Sequence, residues 1–139
     1  MALRHFTLQE ATNLLPRLGE MIQTLRELRD AAVVKKAQID QLWRRLEGGE
    51  PVLSAIGEEQ GTLDAITGRL VSAAQAIEAT GCVLRDLDTG LVDFPCRAKG
   101  GTTVYLCWQQ GEPAIAFWHG TEEGFAGRKP IARLPQDII

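Results

Sequence analysis

A chain of 139 residues with 45% hydrophobic and 24% charged side chains has the apolar mass for one ordinary domain and too much of it for a disordered chain. Its net charge is −3, and neither part is basic: residues 1–80 hold nine Lys or Arg against eleven Asp or Glu, and residues 81–139 hold six against seven. That balance argues against nucleic-acid or anionic-membrane binding driven by charge, and no run approaches the roughly 18 apolar residues of a membrane helix.

The opening "MALRHFTLQE" has no apolar stretch of the signal-peptide kind, and an odd set of three cysteines, Cys82, Cys96 and Cys107, reads as reduced thiols. A cytoplasmic location is the expectation. Thr7 and Glu10 form a capping box, each able to satisfy a free amide of a first helical turn. Apolar residues then recur in steps of three and four at Ala11, Leu15, Leu18, Ile22, Leu25, Ala32, Ile39 and Leu46, which predicts a long amphipathic helix. Pro16 should kink that helix or end a short first piece. Arg29 and Lys36 fall on the heptad seam and leave the pattern coiled-coil-like rather than a strict coiled coil. "EGGEP" at 47–51 is a turn. Leu53, Ile56, Leu63, Ile66, Leu70, Ala73 and Ile77 mark a second helix that closes on Gly81. Gly57, Gly61 and Gly68 within it point either to close helix approach or to a frayed start.

After Gly81 the period becomes that of strands. "CVLRDLDTGLVDFP" reads as a hairpin around Asp88-Thr89-Gly90, and "TTVYLCWQ" with "PAIAFWH" as a second hairpin around "QGEP". The predicted fold is α+β: a single domain of 1–139 in which an antiparallel helical hairpin (1–81) precedes a four-stranded antiparallel sheet with an irregular C-terminal tail (82–139). A small sheet cannot cover so long a hairpin, so the uncovered stripe predicts a homo-oligomer, a dimer by preference.

The stretches "HFTLQEATNLLP", "RDLDTGLVDFP", "VYLCW" and "WHGTEEGFAGRKPI" together resemble a prokaryotic family known as domain of unknown function 2203. The resemblance spans nearly the whole chain and implies a small cytosolic α+β protein. It transfers no activity, cofactor or catalytic residue.

The chemistry-bearing residues gather in the second half. Asp86, Asp88, Asp93 and His119 offer carboxylates and an imidazole, suited to a divalent metal or to acid–base work. With a turn centred on Thr89, Arg85 opposes Asp93 as a cross-strand ion pair and Asp86 opposes Val92 on an apolar face, where Arg128 or His119 would be its partner. Asp86 and His119 are therefore the candidate metal ligands. In a hairpin turning at Gly111-Glu112, Cys107 pairs with Ala116 and His119 with Val104, too far apart along the sheet for a zinc site. The same register sets Trp118 opposite Tyr105 as an aromatic pair. In "GFAGR", the amides around Gly124 and Gly127 offer an anion nest beside the forked donors of Arg128; the plainer alternative has Phe125 plugging a hydrophobic pocket and Arg128 pairing with Asp86 or Asp93. Two readings follow: an oligomeric interaction or scaffold protein, or a protein binding a small molecule, anion or metal between the sheet and the GFAGR loop. The second would use Asp86, Trp108, Trp118, His119 and Arg128.

Overall fold

The computed structural model describes residues 4–131, except for the side chain of Lys99. Helix α1 runs Leu8–Glu47 and helix α2 Leu53–Ala79; the strands that follow are β1 (Val83–Asp86), β2 (Leu91–Arg97), β3 (Thr103–Gln109), β4 (Phe117–Gly120) and β5 (Lys129–Pro130). The sheet is antiparallel in the order β1-β2-β3-β4-β5, so it has five strands and not four. The fifth lies in what the sequence reads as irregular tail; the end of that tail, 132–139, lies outside the described residues.

The capping box forms as the sequence requires. Thr7 donates its amide to Glu10 Oε1 (2.9 Å), and Glu10 donates its own to Thr7 Oγ1 (3.1 Å). Helix α1 then passes through Pro16 without ending there. Glycine at 49, with φ of 95°, turns the chain into α2, and Gly81, with φ of 96°, closes α2. Neither reading of the three α2 glycines holds among the described residues. The helix is continuous from Leu53, and a Cβ on Gly57, Gly61 or Gly68 would meet nothing within 4 Å.

The chain gathers into two compact units, and they do not divide at Gly81. Gln23–Gln75 is one unit, the paired middle of the two helices, tied by Lys35 donating to Glu59 at 2.5 Å. Its fully buried apolar residues are few: Leu25, Leu28, Ile39 and Ile56. The other unit joins the described residues up to Ile22 to those from Ala76 onward and holds the sheet. There Phe6 meets the Phe94 ring edge-on at 5.2 Å and donates its amide to the Pro95 carbonyl at 2.7 Å. Val92, Phe94, Cys96, Val104, Leu106 and Trp108 alternate onto one face of β2 and β3 and are buried there.

Both strand registers differ from the sequence expectation. Between β1 and β2 the partners are Leu84 with Val92 and then Asp86 with Leu91, so Arg85 is the extra residue of a bulge. Between β3 and β4 the partners are Leu106 with Trp118, Tyr105 with His119 and Cys107 with Phe117. The cause is local: residues 113–116 are not strand, and the connection is a long loop rather than a tight turn. Glu112 organises it, its Oε1 accepting the Gln109 amide (2.6 Å) and its carbonyl accepting Trp108 Nε1 (3.1 Å). A slip of one residue changes every cross-strand partner along β4.

Candidate functional site

The shifted register assembles a polar cluster on the face of the sheet opposite the Phe94 core. Asp93 on β2, Cys107 on β3 and His119 on β4 stand on three adjacent strands, all buried, with one ligating atom of each lying within 4.8 Å of the others. Asp93 is 3% exposed and His119 2%. A buried carboxylate must be compensated, and Asp93 is: Oδ2 accepts from Arg85 Nε at 2.8 Å, and Oδ1 faces His119 Nε2 at 2.9 Å. Position 85 in the bulge sets the guanidinium over this face, 5.2 Å from the Tyr105 ring, which also leans on His119 at 5.5 Å.

The two contacts of His119 constrain its ring nitrogens. His119 Nδ1 faces the Gly120 carbonyl at 2.8 Å, an atom that only accepts, so Nδ1 carries a hydrogen. Nε2 would then bring a lone pair to the Asp93 carboxylate, and two lone pairs at hydrogen-bond distance need a cation between them. The position between His119 Nε2 and Asp93 Oδ1 is therefore one that a cation, a proton or a metal ion, suits. Burial, with Asp93 close by, pushes the Cys107 thiol up to about 12, so it stays protonated.

Above the cluster lies a cleft of about 320 Å³ lined by Arg85, Leu91, Asp93 and His119 and, from the segment 121–125, by Thr121, Glu123, Gly124 and Phe125. The segment is held at its base. Glu123 Oε1 accepts the Gly120 amide at 2.9 Å and the Lys129 ammonium, which holds the Glu123 carboxyl below the usual carboxylate range. Gly127 is needed for room: a Cβ there would lie 2.9 Å from the Glu123 side chain.

The sequence candidates separate on this frame. His119 is in the cluster. Asp86 is not: it is exposed, and its Oδ1 accepts the Asp88 amide at 2.9 Å in the turn. Trp108 faces the apolar core, and Trp118 pairs with Leu106, carrying Lys129 4.8 Å above its ring rather than meeting Tyr105. Arg128 reaches neither Asp86 nor Asp93. It donates to Glu112 Oε1 (2.7 Å) and the Cys107 carbonyl (3.3 Å), between the rings of Phe117 (4.1 Å) and Phe125 (4.7 Å). Phe125 is 49% exposed and plugs no pocket. Gly124 has φ of −122°, and the Gly127 amide donates to the Gly124 carbonyl at 2.9 Å, so the charge gathered at this loop is its own Glu123. Sequence reasoning grouped Asp93 with His119 but gave it to Arg85, and it set Cys107 and His119 too far apart along the sheet for a zinc site; the structure brings ligating atoms of all three within 4.8 Å of one another. The signal was present, since "RDLDTGLVDF" and "VYLCW" hold Asp93 and Cys107 at one parity, but the assumed tight turns misplaced the partners.

No helix among the described residues is long and apolar enough to cross a membrane. No curated protein matches the chain, and no solved structure does. Residues 4–131 match the profile of a family described as an uncharacterised conserved protein, DUF2203, and the chain belongs to that family.

Proposed function

We propose that this member of the family binds a small anionic molecule, a carboxylate or a phosphate ester, in the cleft between the sheet and Thr121–Phe125. The observation that carries the reading is Arg85. Its Nε is fixed on buried Asp93 and its guanidinium also interacts with Tyr105, while 44% of the side chain remains exposed and Arg85 lines the cleft. The carboxylates that line the cleft already have partners, which favours an anion. Asp93 is already neutralised by its two partners, and Glu123 is committed to Lys129 and the Gly120 amide. The test is melting temperature and calorimetric titration with inorganic phosphate and a panel of short carboxylic acids. Saturable binding that Arg85→Ala removes is the expected result; indifference of the wild-type protein to every member of the panel refutes the reading.

A second reading concerns the helices and is independent of the cleft. The chain forms a homo-oligomer, a dimer by preference, through the helical hairpin. Leu42, Leu46, Leu63, Ile66 and Leu70, all apolar, remain only half-buried, and Val33, Val34, Trp43, Leu53 and Val71 are exposed. Light scattering on a sizing column decides it: a mass of one chain across the whole concentration range refutes it.

A further inference from the structure

The geometry points to a second ligand of the same face: we propose that Asp93, Cys107 and His119 hold a zinc ion. The set has the composition zinc prefers, one imidazole nitrogen, one thiolate sulfur and one carboxylate oxygen, and sulfur disfavours magnesium or calcium. The surroundings match those of metal-binding residues. His119 gives its Nδ1 hydrogen to the Gly120 carbonyl, which orients Nε2 toward Asp93, the arrangement that fixes the tautomer of a ligating histidine. The other oxygen of Asp93 is held by Arg85, as ligating carboxylates are commonly held.

Geometry and charge are both compatible. Donor atoms around a four-coordinate zinc lie roughly 3.3–3.8 Å apart, as bond lengths near 2.0–2.3 Å require. The three atoms here fall within 4.8 Å, with His119 Nε2 and Asp93 Oδ1 at 2.9 Å, so the widest pair closes by roughly 1 Å and the closest opens slightly. On binding a divalent ion the Cys107 thiol gives up its proton, and any proton held between His119 and Asp93 is displaced with it. The ion stands between His119 Nε2 and Asp93 Oδ1, whose lone pairs otherwise face one another. Asp93 and His119 also line the cleft, so that is the side from which a fourth ligand would reach the ion. Three protein ligands with an open fourth position are the pattern of a zinc ion that meets a ligand rather than one that only braces a fold.

The experiment uses the full chain, stripped with a chelator and then titrated with zinc or cobalt without any added anion, so its outcome is separate from that of anion binding. One ion per chain is expected, with a thiolate-to-cobalt charge-transfer band and the visible absorption of a tetrahedral site. Cys107→Ser removes the charge-transfer band and weakens binding by roughly 100-fold or more, beyond the usual effect of losing an outer contact. X-ray absorption on the zinc-loaded wild-type protein shows one sulfur neighbour, a readout that needs no variant to fold. No stoichiometric uptake, a first shell without sulfur, or a folded Cys107→Ser protein with unchanged spectrum and affinity overturns the proposal.

Discussion

Replacing Arg128 by alanine tests whether this side chain is a structural tie. Arg128 is 12% exposed and its partner Glu112 26%. Removing it takes away a charge-assisted hydrogen bond worth about 1.5–3 kcal/mol and leaves a partly buried carboxylate without its cation. It also removes stacking on Phe117 and Phe125, worth about 0.5–1 kcal/mol for each ring at sites this wet. Water reaches Glu112 and repays part of the loss, so the lower half of the range applies, and the expected destabilisation is about 3 kcal/mol. Arg128→Lys keeps the charge but loses the planar fork, and should lose about half as much. Urea unfolding followed by circular dichroism measures both, with the slope checked for constancy. A change below about 1 kcal/mol for Arg128→Ala would refute the structural role and return Arg128 to the pool of groups available to a ligand.

Other expectations are as direct. Thr7→Ala should cost about 1 kcal/mol by unfolding titration, the usual worth of such a cap. Glu10 accepts the Thr7 amide, which holds its carboxyl below the usual carboxylate range. A carboxyl lowered in the fold contributes stability that is complete above its unfolded value and is lost as pH falls through the lowered one. Glu10→Gln should therefore flatten the acid side of the melting-temperature profile; a profile identical to wild type contradicts this. The Cys96 thiol, pushed up to about 11 by burial, should resist a disulfide-exchange reagent at neutral pH until denaturant is added. Alanine at Gly57, Gly61 or Gly68 should raise stability by about 0.5–1 kcal/mol each, because the helix gains propensity and a Cβ meets nothing within the chain. A loss of stability or of assembly at any of these positions would mean that a second copy packs closely there.

The helical part was largely legible because its signals are local. The capping box, the apolar spacing, the glycine turn at 49 and the closure at Gly81 each depend on residues a few positions apart. The first four strands were legible for the same reason, but the two-residue β5 and the strand registers were not. Arg85 is an extra residue only in relation to β2, and the long loop before Phe117 is stabilised by Glu112 bonds that no spacing rule foretells. The departures are one residue between β3 and β4 and one or two across the bulge, enough to decide which side chains meet. Asp86 therefore lost its expected place on an apolar face, while Asp93 and His119 were left to find each other.

The polar face also explains why so short a tail suffices to cover it. A sheet with one face packed on apolar residues leaves the other to water, unless something covers it. Here the cover is Thr121–Phe125, and so small a segment has little apolar area with which to hold itself down. Its position comes instead from charged contacts: Glu123 with the Gly120 amide and Lys129 at its base, and Arg128, just beyond it, with Glu112 under the Phe125 ring. Those contacts spend the loop's own carboxylate and its arginine on structure. What remains addressed to the cleft is Arg85 from β1 and the buried pair of Asp93 and His119, three side chains placed by the sheet and not by the loop. A site is more accurately held by strands than by a loop. The chemistry of this protein is thus to be sought on the sheet, with "GFAGR" as the part that keeps the cover in place.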